Sequence, residues 1–145
     1  MDKIYYLDNN ATTKTDDEVF EAMKPYMTGM YANASGIYSF GQDARKTVEN
    51  ARETVKDFLG ASHVKEIIFT SGGTESDNLA VKGAAYARAG KGRHIITSAI
   101  EHHAVLNTVK FLEKQGFEAD YVPVDEKGVI IIDELKKAIR PETTL

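Results

Sequence analysis

The sequence predicts an α/β fold built on a mostly parallel sheet, and three observations carry that reading. Between residues 66 and 140, short β-branched runs alternate with longer stretches of helical period, the pattern of right-handed βαβ units. A glycine turn, Ser71-Gly72-Gly73-Thr74, joins one such run to the start of a helix. With 145 residues and 42% hydrophobic composition, the chain is also long enough for one domain with a real core.

Taken in order, the chain opens on the strand-like run Ile4-Tyr5-Tyr6-Leu7 and turns polar through Asp8-Asn9-Asn10-Ala11-Thr12-Thr13, a loop or an arm reaching a site. Val19, Phe20, Met23, Tyr26 and Met27 recur at helical spacing, so a helix is expected from about Asp17, capped by Asp16 and broken or kinked at Pro25. Gly29 to Ser39 has no clear period and reads as a loop. A long helix follows from about Gly41 to Leu59, with Ala44, Val48, Ala51, Val55 and Phe58 on one face and a charged, solvated face opposite. Gly60 ends it.

Glu66-Ile67-Ile68-Phe69 reads as the first strand of the repeating part, and the helix from Thr74 to about Ala89 as its partner, stopped by Gly90-Lys91-Gly92. His94-Ile95-Ile96-Thr97 is the next strand. Ser98 and Glu101 have the spacing of a capping box at the start of a helix that carries Val105, Val109 and Leu112 and ends near Gln115-Gly116. Ala119 to Val124 is a third strand, with Pro123 marking its end. Val129-Ile130-Ile131 is a short extended piece, Asp133 is placed as the cap of a last helix to about Ile139, and Arg140 to Leu145 reads as a turn entering another strand. Three strands with apolar helices on them would leave much surface uncovered, so the chain is expected to be a piece of a larger protein.

Composition narrows the function. No apolar run approaches the roughly 20 residues of a membrane span, and Met1 to Asp8 lacks the basic and apolar regions of a secretory signal, which makes the cytoplasm the expected location. The absence of cysteine removes disulfides, thiolate metal sites and any thiol nucleophile supplied by this chain. A net charge of −4 with interspersed signs gives no footprint for nucleic acid.

The chemistry concentrates at two turns, residues 70 to 74 and 97 to 102, each at the C-terminal end of a strand, where parallel sheets bind ligands. Adjacent glycines admit a ligand close to the backbone, and the helix start after them offers unpaired N–H groups and a positive dipole end that suit an anion such as phosphate. The structural alternative is a plain turn in which Thr74 caps the helix and Asp77 completes a capping box. His102 and His103 open the next helix. Helical neighbours point about 100° apart, so they cannot share a metal ion, and no metal site is expected. By position within a helix only one of them can face the ligand at the glycine turn; the alternative is a pair of polar helix-start residues.

Four segments together resemble the NifS-type cysteine desulfurases, pyridoxal-phosphate enzymes of the class V aminotransferase group. They are Tyr6 to Thr13, Ser39-Phe40-Gly41, Phe69 to Asn78, and Glu101-His102-His103-Ala104-Val105, in family order and spacing. The resemblance implies a three-layer αβα large domain of fold type I, incomplete in this chain. It divides the chain into an arm (1–15), a helix and loop preceding the cofactor domain (16–39) and the first part of the cofactor domain (40–145). It implies that Gly73 and Thr74 hold the phosphate of pyridoxal 5'-phosphate, with Glu75 turned away, and that His102 stacks on the pyridine ring as a catalytic residue. His103 falls at a variable position. The implied reaction takes sulfur from L-cysteine, leaves L-alanine, and passes a persulfide toward a sulfur acceptor or iron–sulfur scaffold protein, in a homodimer.

Two departures stand out. The family pattern Asn-Pro-Ser-Ser-x-His is here Asn33-Ala34-Ser35-Gly36-Ile37-Tyr38, which predicts a looser loop. The family's Schiff-base lysine, cofactor-pairing aspartate, persulfide cysteine and carboxylate-binding arginine all fall beyond residue 145, so the chain alone is expected to be inactive. Another class V enzyme, such as a selenocysteine lyase, is the nearest alternative; a non-catalytic dimerisation or interaction module is the more distant one.

Overall fold

The computed structural model describes residues 4–145. The chain forms two compact units, Met1–Ile68 and Phe69–Leu145.

The first unit is helical. Helix α1, Asp17–Thr28, starts where the apolar spacing predicts, with Asp16 accepting the amide of Glu18 at 2.8 Å. It does not stop at Pro25. The ring removes one amide from the ladder, but the Pro25 carbonyl accepts from both Gly29 and Met30, at 2.9 and 2.7 Å, which closes the last turn beyond it. Helix α2, Ser39–Leu59, ends on Gly60 at φ 67°, a left-handed conformation that favours glycine. Its charged face is only partly solvated, because Arg52 reaches the carbonyl of Ile67 at 2.5 Å. Lys56, between Glu53 at 2.7 Å and Asp57 at 3.0 Å, has its pKa raised by those two carboxylates.

The loop from Asn33 to Tyr38 is tied down despite lacking proline. Asn33 Oδ1 accepts from the Ser35 amide, Arg45 Nε donates to the Ala34 carbonyl at 2.9 Å, and Gln42 Nε2 donates to the Ile37 carbonyl at 3.1 Å. The two departures at 36 and 38 belong together: a Cβ on Gly36 would lie 2.8 Å from the Tyr38 ring. The tyrosine occupies space that any side chain at 36 would fill.

The expected strand over Glu66 to Phe69 is absent. Val64–Glu66 forms a short 3-10 turn, and residues 67–70 belong to no strand of the described sheet. A β-branched run supplies the propensity of a strand, but only a neighbour completes one.

In the second unit, helix α3 spans Gly73–Arg88, strand β1 His94–Ser98, helix α4 His103–Glu113, strand β2 Glu118–Val122 and helix α5 Ile132–Ala138. Strands β1 and β2 are parallel, with His94 opposite Glu118 and Ser98 opposite Val122. On the other side of β1 the segment 142–145 runs parallel to it: His94 donates to the Glu142 carbonyl at 3.1 Å, Thr144 donates to the His94 carbonyl at 2.9 Å, and Ile96 donates to the Leu145 carbonyl at 2.8 Å. The further strand expected at residues 140 to 145 is thus present only as an isolated bridge between Thr143 and His94. Gly92 allows it to pass, since a Cβ there would collide with the Glu142 carbonyl. The core joins Ala85 of α3, Ile95 of β1, Val109 and Leu112 of α4, and Phe117. Small residues on α3 let α4 come close beside it.

His94 is buried in the middle of this sheet and bridges both neighbours, Nδ1 to the Thr143 hydroxyl at 2.8 Å and Nε2 to Asp120 at 3.2 Å. Three expected caps are replaced. Gly72, not Thr74, precedes α3, without a side-chain cap; Ile131, not Asp133, precedes α5, leaving Asp133 in the first turn, where its charge suits the dipole; and α4 is capped by His102 instead of Ser98.

Tyr121 donates its hydroxyl to Glu113 at 2.9 Å, and burial together with that carboxylate pushes its pKa up to about 12. The folded state therefore holds this proton more tightly than the unfolded chain does. Its contribution to stability is present below the ordinary tyrosine pKa near 10 and is lost as pH rises through about 12. Chemical denaturation between pH 9 and 12 is expected to show that loss in the protein and not in the Tyr121→Phe variant.

Candidate functional site

The Gly-Gly-Thr turn forms a helix start with open amides. Gly72 is extended at φ 164°, and α3 begins at Gly73. The first amides of the helix, those of Gly73, Thr74 and Glu75, have no partner within it, and the Gly72 position supplies no side-chain cap. A Cβ on Gly72 or Gly73 would meet nothing within 4 Å, so the space beside these two glycines is open.

Glu75 does not enter that space. Its Oε2 accepts from the Ser71 hydroxyl at 2.6 Å and the Ser71 amide at 2.7 Å, which folds the carboxylate back over the turn. Those two hydrogen bonds hold its pKa below the usual carboxylate value. Thr70 and Ser76 hydroxyls meet at 2.6 Å behind the turn and brace it.

The second corner follows β1. Ser98 donates to Glu101 at 3.0 Å, side chain to side chain, so this pair orders the turn and caps nothing. His102 itself occupies the cap position, its Nδ1 accepting the Ala104 amide at 3.1 Å. An Nδ1 that accepts belongs to the tautomer with the proton on Nε2, which leaves Nε2–H as the ring's free hydrogen-bond donor.

Thr74, His102 and His103 line one cavity of about 290 Å³. The expectation that a single histidine can face the glycine turn fails because His102 lies just outside the helix: its extended backbone turns it to the same side as His103, with ring centroids 6.0 Å apart and planes at 87°. Asn78, Lys82, Asn107 and Phe111 also line the cavity. Sequence reading missed these four. Their signal is the spacing of four from Thr74 on one helix and from His103 on the other, which means something only once the helices are known to lie side by side.

Among the described residues, no helix is long and apolar enough to cross a membrane.

The family model for aminotransferase class-V matches residues 5–145. A cysteine desulfurase IscS of Methanosarcina thermophila is 54% identical over 143 residues, which is 99% of this chain and 35% of that protein. The IscS of Dictyoglomus turgidum is 52% identical over 145 residues, all of this chain and 36% of that one. Among solved structures, a NifS-like protein superposes with a TM-score of 0.88 at 44% identity, over 94% of this chain and 37% of that one. SspA in complex with cysteine gives 0.86 at 42% identity, over 95% of this chain and 40% of that one. The chain thus spans about 35% of the length of the first of these curated relatives. The fold is an incomplete αβα arrangement like that of these neighbours. With the match running through both corners, the chain belongs to the class-V aminotransferase family, whose members depend on pyridoxal 5'-phosphate.

Proposed function

We propose that this chain supplies the phosphate-binding and ring-stacking half of a cytoplasmic, homodimeric cysteine desulfurase, an enzyme that converts L-cysteine to L-alanine and passes the sulfur, as a persulfide, to an acceptor or iron–sulfur scaffold protein. The observation that carries the reading is that Thr74 and His102, from successive corners, line one cavity. The names of the relatives support the choice of reaction.

The residues present fit pyridoxal phosphate. Open amides at Gly73 and Thr74, the Thr74 hydroxyl and a positive dipole end suit a phosphate ester, and the carboxylate next to Thr74, that of Glu75, is held back by Ser71. When bound, the cofactor supplies an electron sink for the carbanion formed at the substrate Cα. His102 offers a ring whose tilt is set by its own cap hydrogen bond, and an Nε2–H at the ring edge that can donate a hydrogen bond. The reactive lysine and the sulfur-carrying cysteine come from outside these 145 residues, because the chain has no cysteine and no lysine in the family's Ser-x-His-Lys setting. In domain terms we assign 1–15 to the arm, 16–39 to the helix and loop, and 40–145 to the cofactor domain.

Thr74→Ala tests the assignment. It keeps the helix and removes one hydroxyl, so affinity for pyridoxal phosphate is expected to fall about ten-fold, the worth of a hydrogen bond to a charged group. Unchanged affinity in an equilibrium titration would remove Thr74 from the site.

A further inference from the structure

The cavity extends further than a phosphate at the helix start requires. Thr74, Asn78 and Lys82 follow one another along α3, and His103, Asn107 and Phe111 along α4, so two rows of side chains face each other across a groove. At 1.5 Å per residue, Lys82 lies about 12 Å along the helix from Thr74. An ion held by the amides at 73 and 74 does not reach it.

Lys82 is half-buried and forms no ion pair with any described residue. Its Nζ sits 4.5 Å from the centroid of the Phe111 ring, which attracts the cation without neutralising it. None of the residues lining the groove is acidic. Asn78 is already committed, its Nδ2 donating to the Thr74 carbonyl at 2.9 Å. The Asn107 side chain, one turn before Phe111, makes no hydrogen bond with any described residue and stands exposed. A partly desolvated ammonium and an uncommitted amide donor on facing helices, with no carboxylate between them, are what a small oxyanion needs.

We propose that the Lys82 end of the groove is a second anion site, separate from the phosphate corner, that takes the carboxylate or phosphate group of a small molecule on Lys82 Nζ and Asn107 Nδ2. The occupant carries one or two negative charges and a small body, since the whole cavity is about 290 Å³. Binding weakens with added salt, because the attraction is to a partly exposed charge.

The test is a titration of the full chain, with inorganic phosphate in one arm and acetate in the other, followed by NMR at the Asn107 side-chain amide. A saturable shift in either arm is the expected result, and the arm that responds names the anion class. Lys82→Gln is expected to weaken that response about ten-fold and Lys82→Arg to retain it. Thr74→Ala is expected to leave it unchanged, which separates this site from the cofactor reading: either one can fail while the other stands. No shift in either arm, or an equal shift in the Lys82→Gln variant, overturns the proposal.

Discussion

Replacing His102 by asparagine is expected to lower L-cysteine turnover by the proposed desulfurase about 100-fold or more, with the protein still folded. The choice of asparagine follows from the dual role of the residue. His102 caps α4 through Nδ1, so an alanine would remove the imidazole and the cap together, and a loss of activity would then be ambiguous. Asparagine is among the best N-cap residues and can accept the Ala104 amide with its side-chain oxygen. It cannot stack as a ring or exchange a proton near neutral pH. The expected signature is a fall in kcat with an unchanged thermal midpoint. A variant that keeps full turnover would show that the imidazole serves the helix and nothing else.

Leu112→Ala is expected to cost about 2–5 kcal/mol of stability. Leu112 is fully buried and lies in the cluster formed by α3, β1 and α4, with Ala85, Ile95, Val109 and Phe117 around it. Alanine at 85 and the β1 backbone on the far side leave little that can move inward to fill the space, so most of the cavity would remain. Phe58→Ala in this chain is the contrasting case. Its ring is 87% exposed, and the change is expected to stay within about 0.5 kcal/mol. Urea denaturation of the two variants measures the difference; equal costs would mean that the core is not where the helices meet.

What was legible in the sequence was local in origin. The Asp16 cap, the Gly60 stop, the strand at His94 and the end of β2 before Pro123 each depend on a few adjacent residues, and each is found where those residues place it. The misreadings arose where one pattern serves two purposes. Ser98 and Glu101 have capping-box spacing, yet they bond to each other and leave the cap to His102, three-dimensional context deciding between two satisfactory hydrogen bonds. Ile67 and Ile68 favour a strand, but strand formation needs a neighbour and the Ile67 carbonyl is taken by Arg52. Both corners of the site were visible, one through its glycines and one through its histidines. The groove that connects Thr74 to Lys82 was not, because it exists only where two successive helices, α3 and α4, lie side by side.

The most direct measurement is a crystal structure of the protein loaded with pyridoxal phosphate. The phosphate is expected within hydrogen-bonding distance of the Gly73 and Thr74 amides, with the His102 ring against the pyridine. A cofactor phosphate bound elsewhere, or a His102 ring turned away from it, would contradict the account.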